Sequence, residues 1–108
     1  MPKYIFVYLG GSQPDNPEES KQHYEKYQGW LSALGNAVVS PAIPFKDTHT
    51  VHPNGSAEAG TTTLISGMSV LQFDSMSAAL DAAKSCPFRE IGGTLEVSEM
   101  LEMTPAKH

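Results

Sequence analysis

Six residues near the start of the chain, Tyr4 to Leu9 (YIFVYL), closed by Gly10 and Gly11, limit its folding options more than any other stretch. The run is too short for a stable helix and is rich in β-branched and aromatic residues, so it reads as a strand. Its lack of alternation is the constraint. In a sheet with one wet face, Tyr4, Phe6 and Tyr8 would differ in polarity from Ile5, Val7 and Leu9. Here both sets are apolar, so both faces need cover. Helices can roof one face only; the other calls for more of this chain or for a second copy of it.

The first roof is Asn16 to Gly35 (NPEESKQHYEKYQGWLSALG). Asn16 can cap the first turn, Pro17 suits the first helical position, and Glu18 and Glu19 face the positive end of the helix dipole. Gly35 supplies the stop. Tyr24, Tyr27, Leu31 and Leu34 recur at helical spacing, with His23 and Trp30 along one margin of the stripe. Gly10 to Asp15 reads as loop, and Ala37 to Ser40 as a short strand ended by Pro41. Pro41 to Gly60 lacks clear structure, although Thr48 to Val51 suits brief pairing and Asn54-Gly55 is a hairpin-turn dipeptide. Thr62 to Phe73 is the second strong strand, with Gly67 marking a bulge or a close backbone approach.

Asp74 and Ser75 offer caps for a second helix that ends near Ser85, with Met76, Ala79, Leu80 and Ala83 as its packing stripe. Pro87 forbids continuation. Thr94 to Met100 alternates as a last strand, and Leu101 to His108 is a polar tail. The order strand, helix, strand, strand, helix, strand predicts an α+β, ferredoxin-like βαββαβ fold. Its four-stranded antiparallel sheet carries both helices on one face. The bare face then predicts a homodimer, two sheets closing as a dimeric α+β barrel, with Tyr4 and Tyr8 filling the interface and their hydroxyls open to a ligand.

At 108 residues, the whole of 1–108 is expected to be one domain. The net charge is −5 and the seven Lys and Arg form no run, which argues against nucleic acid or an anionic membrane as partner. No apolar stretch reaches the roughly 20 residues of a membrane helix. The lone cysteine suits a reducing compartment, so cytoplasm is the expected location. There is no G-x-G-x-x-G, P-loop, G-x-S-x-G or Cys-x-x-Cys, and no cofactor is expected.

Few side chains are placed for chemistry. His23 lies at the edge of the helical stripe, where it either points into a cleft as a general base or packs on Tyr27 with its ring tip in water. His49 and His52, following Asp47, read as metal ligands, as a base with its orienting carboxylate, or as part of a polar loop, and no third metal ligand is near. Cys86 ends the second helix, the wrong end of the dipole for a reactive thiol. Glu96 is either a solvated strand carboxylate or a polar group inside a dimer cavity.

Several pieces together resemble the YCII-related proteins. They are KYIFVYLGG, the helix end Trp30 to Gly35 running into AVVSPA, the G-x-x-x-x-x-x-D-S-x-x-x-A run from Gly67 to Ala79, Cys86-Pro87, and Gly92-Gly93-Thr94 followed by Glu96-Val97. The resemblance spans nearly the full chain apart from the central loop. It implies the ferredoxin-like fold and the dimeric α+β barrel. It also implies membership of a superfamily that holds small monooxygenases, isomerases and dehalogenating enzymes beside members of no known activity. Some relatives pair a first-helix histidine with a carboxylate; the matching positions here are Tyr24 or Glu25, next to His23. Another branch's D-G-P-F run is replaced by Glu58 to Thr62.

The expected function is a small-molecule cleft between sheet and helices, lined by Tyr8, His23 and Trp30 and covered by the central loop. Tyr8, Trp30 and His49 would contact ligand there, and His23 would carry cofactor-free acid–base catalysis without a metal. The alternative is a non-catalytic dimer that binds a metabolite or a protein and regulates.

Overall fold

The computed structural model describes residues 1–11 and 16–101, so the loop expected over 12–15 and the tail over 102–108 lie outside the described residues. The elements are β1 (Lys3–Gly10), α1 (Pro17–Leu34), β2 (Val38–Pro44), β3 (His49–Val51), β4 (Ala57–Ala59), β5 (Ile65–Gln72), α2 (Met76–Lys84) and β6 (Gly93–Glu99). Short 3₁₀ turns follow α1 and α2, over Gly35–Ala37 and Pro87–Ile91. Four strands form one sheet in the order β2-β5-β1-β6, every neighbour antiparallel. This is the ferredoxin-like arrangement expected from the order of elements.

Both faces of β1 are apolar, but they differ in kind. Tyr4, Phe6 and Tyr8 are buried and share one core with Trp30 of α1 and Ala79, Ala82 and Ala83 of α2. Ile5, Val7 and Leu9 alternate to the opposite face and are half-buried. The rings therefore lie under the helices, which corrects the expectation that Tyr4 and Tyr8 fill an interface. The physical reason is room. The small side chains of α2 leave volume over the sheet that large rings fill, and Phe6 packs on Phe73 and Trp30 at centroid distances of 6.2 and 6.3 Å.

Local chemistry accounts for the helix ends. Asn16 accepts from the Glu19 N–H at 2.8 Å, and Ser75 from the Ala78 N–H at 3.2 Å. The buried stripes are each displaced from expectation. On α1 the inward residues are Tyr27, Trp30, Leu31 and Leu34, whereas Tyr24 is 63% exposed. On α2 they are Ala79, Ala82 and Ala83, continued by Cys86, while Met76 and Leu80 are exposed. Helical periodicity allows either stripe. The indole of Trp30 selects this one, because its Nε1–H donates to Ala82 O at 3.0 Å and to Ser85 Oγ at 3.1 Å.

The central region is more ordered than its composition suggests. β2 runs on through Pro41 to Pro44, with register shifts around Ser40 and before Ile43. Pro41 is tolerated because β2 is an edge strand and the shift needs no N–H there. Beyond it β3 and β4 form a hairpin, as the Asn54-Gly55 signal implied. The turn bond runs from Gly55 N–H to His52 O at 2.8 Å, with Gly55 at φ 88. Asn54 is not left-handed, so this is a three-residue turn ending in glycine, not a two-residue Asn-Gly turn.

Candidate functional site

A cavity of about 480 Å³ lies between α1 and the sheet at the C-terminal end of β1. Its roof is one side of α1, with Ser20, His23, Tyr24, Tyr27, Gln28 and Leu31. The edge strand β2 gives one wall through residues 41–44, and Phe88 and Ile91 of the second 3₁₀ turn give the other. Tyr8, Ser66 and Gly67 make the floor.

Two glycines allow these walls to meet. A Cβ on Gly67 would lie 2.8 Å from Ile43 O, so only glycine lets β2 run this close to β5. Next to it the register slips, since Tyr8 opposes Gly67 and Leu9 opposes Ile65, leaving Ser66 as the extra residue of a bulge. The Ser66 hydroxyl donates to Tyr8 O at 3.1 Å and closes the irregularity. On the far side a Cβ on Gly93 would overlap the Phe88 ring. That ring stands edge-on to Tyr8 with centroids 5.2 Å apart.

Beneath the roof three hydroxyls are linked. Tyr8 Oη lies 2.5 Å from Tyr27 Oη and 2.7 Å from Ser69 Oγ, and Ser69 is fully buried. Burial pushes both phenols above the ordinary tyrosine value, so both stay protonated at neutral pH. Burial likewise pushes the Cys86 thiol up to about 11, in keeping with an unreactive thiol.

Among the described residues no Asp, Glu, Lys or Arg lines the cavity. The lining is aromatic and aliphatic, punctuated by hydroxyls, one amide and one imidazole. His23 is half-buried and one turn before Tyr27, so both side chains leave α1 on the same side. It has no hydrogen-bond partner among the described residues.

The residues singled out from the sequence separate in space. Tyr8 and His23 line this cavity. Trp30 does not; it lies in the core and borders a depression on the other side of α1, with Lys84, Cys86 and Arg89. His49 starts β3, exposed, with Nδ1 3.7 Å from Asp47 Oδ1, and it does not reach the cavity either. His52 is paired across the hairpin with Glu58 at 2.9 Å. Glu96 lies beside Val7 on the helix-free face of the sheet. No group of three or more metal-ligating side chains occurs among the described residues. Sequence reasoning treated Tyr27 as core and overlooked Ser69. The available signal was parity, because Gly67, Ser69 and Leu71 share the face of β5 that opposes Tyr8, Phe6 and Tyr4.

No protein-family model matches the chain, and no curated protein matches it. Among solved structures it is similar to 5-chloro-2-hydroxyhydroquinone dehydrochlorinase (TftG) from Burkholderia phenoliruptrix, in complex with 2,5-dihydroxybenzoquinone. The TM-score is 0.57 at 12% identity, over 93% of this chain and 95% of that one. At this identity the likeness is one of fold. No helix among the described residues is long and apolar enough to cross a membrane.

Proposed function

We propose that the chain is a YCII-related homodimer that binds a small molecule in the cavity under α1, with His23 as general base for acid–base chemistry that uses side chains alone. The observation that carries this reading is the cavity itself. About 480 Å³ falls within the range of ligand pockets, and its lining joins apolar walls to a few convergent polar groups. The YCII-like sequence pieces support it, as does the fold shared with an enzyme that holds a small ring compound. A cytoplasmic location suits the lone thiol.

The dimer enters through the helix-free face. Ile5 lies beside Val70, and Val7 beside Met68, which in turn opposes Ile43. These apolar side chains are partly or largely exposed in one chain, and a second sheet laid on them would close the barrel.

The test is a ligand-observed NMR screen of small ring compounds on the wild type and on a Leu31→Trp variant that fills the cavity. Binding to the first and not the second is expected; equal binding to both would place the ligand elsewhere and defeat the reading. A turnover assay on any compound so found, with His23→Gln alongside, addresses the general base. One feature favours a second, non-catalytic reading: no carboxylate orients His23 among the described residues. If the wild type binds such compounds without converting them, the protein is a binding module; conversion that His23→Gln retains would take the role of general base from His23.

A further inference from the structure

The hydroxyls below the cavity carry a directional consequence, which rests on the ligand-binding reading above and names the chemistry the site prefers. We propose that Ser69, Tyr8 and Tyr27 form a one-way hydrogen-bond chain that presents the Tyr27 hydroxyl proton to the cavity. The site would then prefer uncharged aryl molecules bearing an acceptor oxygen.

Three hydroxyls bring three protons, and two contacts link them, both through Tyr8 Oη. One proton is left over, and it belongs to an end of the chain, because Tyr8 is buried and its hydroxyl has no other acceptor among the described residues. Ser69 is fully buried, and among the described residues its only hydrogen-bond partner is Tyr8. A buried hydroxyl proton with no acceptor is costly, so Ser69 donates to Tyr8. Tyr8 has then accepted one bond and gives its own proton to Tyr27. Tyr27 lines the cavity, and its proton is the one left over. The relay also polarises the final O–H, because each accepted bond strengthens the next donation.

The rest of the lining sets the ligand class. Tyr8, Tyr24, Tyr27 and Phe88 offer ring faces and edges. No Lys or Arg among the described residues is present to pair an anion, and no carboxylate to pair a cation. A flat ring with one neutral acceptor oxygen satisfies Tyr27 without burying an unpaired charge.

Three probes of one shape separate the possibilities: acetophenone, α-methylstyrene, in which a CH₂ replaces the oxygen, and benzoate. Their affinities are measured by NMR titration on wild type, Tyr27→Phe and Ser69→Ala. Wild type is expected to prefer acetophenone over α-methylstyrene by roughly threefold to tenfold, the range of one net hydrogen bond, and to bind benzoate more weakly. Tyr27→Phe should erase the preference while still binding both neutral rings. Ser69→Ala should reduce it, since the chain can then run either way. The infrared carbonyl band of bound acetophenone should be shifted down in wild type, and less so in both variants. A preference unchanged in Tyr27→Phe or in Ser69→Ala, or tightest binding to benzoate, overturns the chain while leaving the cavity as a ligand site. Binding of none of the three overturns both.

Discussion

Tyr8→Phe tests the hydroxyl chain through stability alone, without any ligand. The change keeps the ring against Phe88 and removes one oxygen. Two hydrogen bonds are lost, at 2.5 and 2.7 Å, each worth about 1 kcal/mol net. Ser69 Oγ, fully buried, is left with no partner, at a further cost of about 1–2 kcal/mol. The expected loss is therefore about 3–4 kcal/mol. Ser69→Ala removes one bond and leaves Tyr8 joined to Tyr27, for a loss of about 1 kcal/mol. The double variant loses both bonds but orphans nothing, because Tyr27 can turn to water in the cavity, so its loss is about 2 kcal/mol. The two changes should thus fall short of additivity by about 2–3 kcal/mol. Urea unfolding followed by the fluorescence of Trp30, the one tryptophan, measures all four proteins, at one protein concentration so that association cannot bias the comparison. Additivity within about 0.5 kcal/mol would refute the reasoning, because it would mean that Ser69 is not stranded when the phenol is removed.

Four further outcomes are expected. Gly67→Ala forces β2 away from β5, because the new Cβ meets Ile43 O; a loss of about 1–3 kcal/mol in urea unfolding and a deformed cavity wall should follow. An undisturbed stability would mean that the two strands are less tightly apposed. Val7→Glu puts a charge on the helix-free sheet face beside Glu96, and sedimentation should find a wild-type dimer converted to a folded monomer. A variant that still sediments as a dimer would move the interface elsewhere. Trp30→Phe removes the indole N–H from Ala82 O and Ser85 Oγ and should cost about 1–2 kcal/mol, read by chemical denaturation with circular dichroism. Cys86 should resist thiol reagents at pH 8. Its thiol pKa is raised in the folded state, so the folded protein keeps a proton that the unfolded chain releases. Stability is then indifferent to this group below about pH 9 and falls between there and about 11. Cys86→Ser should flatten part of that fall, and an identical profile would refute the assignment.

The elements that were legible in advance share a property: their signals lie within a few residues of the chain. Asn16, Pro17 and Gly35 bracket α1 because capping and termination are local backbone chemistry. The unbroken YIFVYL run reads as a strand, and the order of elements restricts the topology to the one observed. Pro41 misled because its effect depends on strand position. At a sheet edge it sits in β2, where in a central strand it would not.

The side of each helix that faces inward, and the side of β1 that carries the rings, were not local matters. Periodicity permits the stripe of α1 to include Tyr24 or exclude it, and that of α2 to include Leu80 or Ala82. The choice was made where Trp30 reached the Ala82 carbonyl and where small side chains left room for Phe6. The site follows the same division. His23 was readable as a margin residue of a reliable helix. The pairing of Tyr8 with Ser69 joins positions 61 residues apart in sequence, and only strand register brings their hydroxyls together. Composition and spacing thus determine which segments become strands and helices, because those preferences act along the chain. Contact between hydroxyls on different elements is decided by packing, which acts across it.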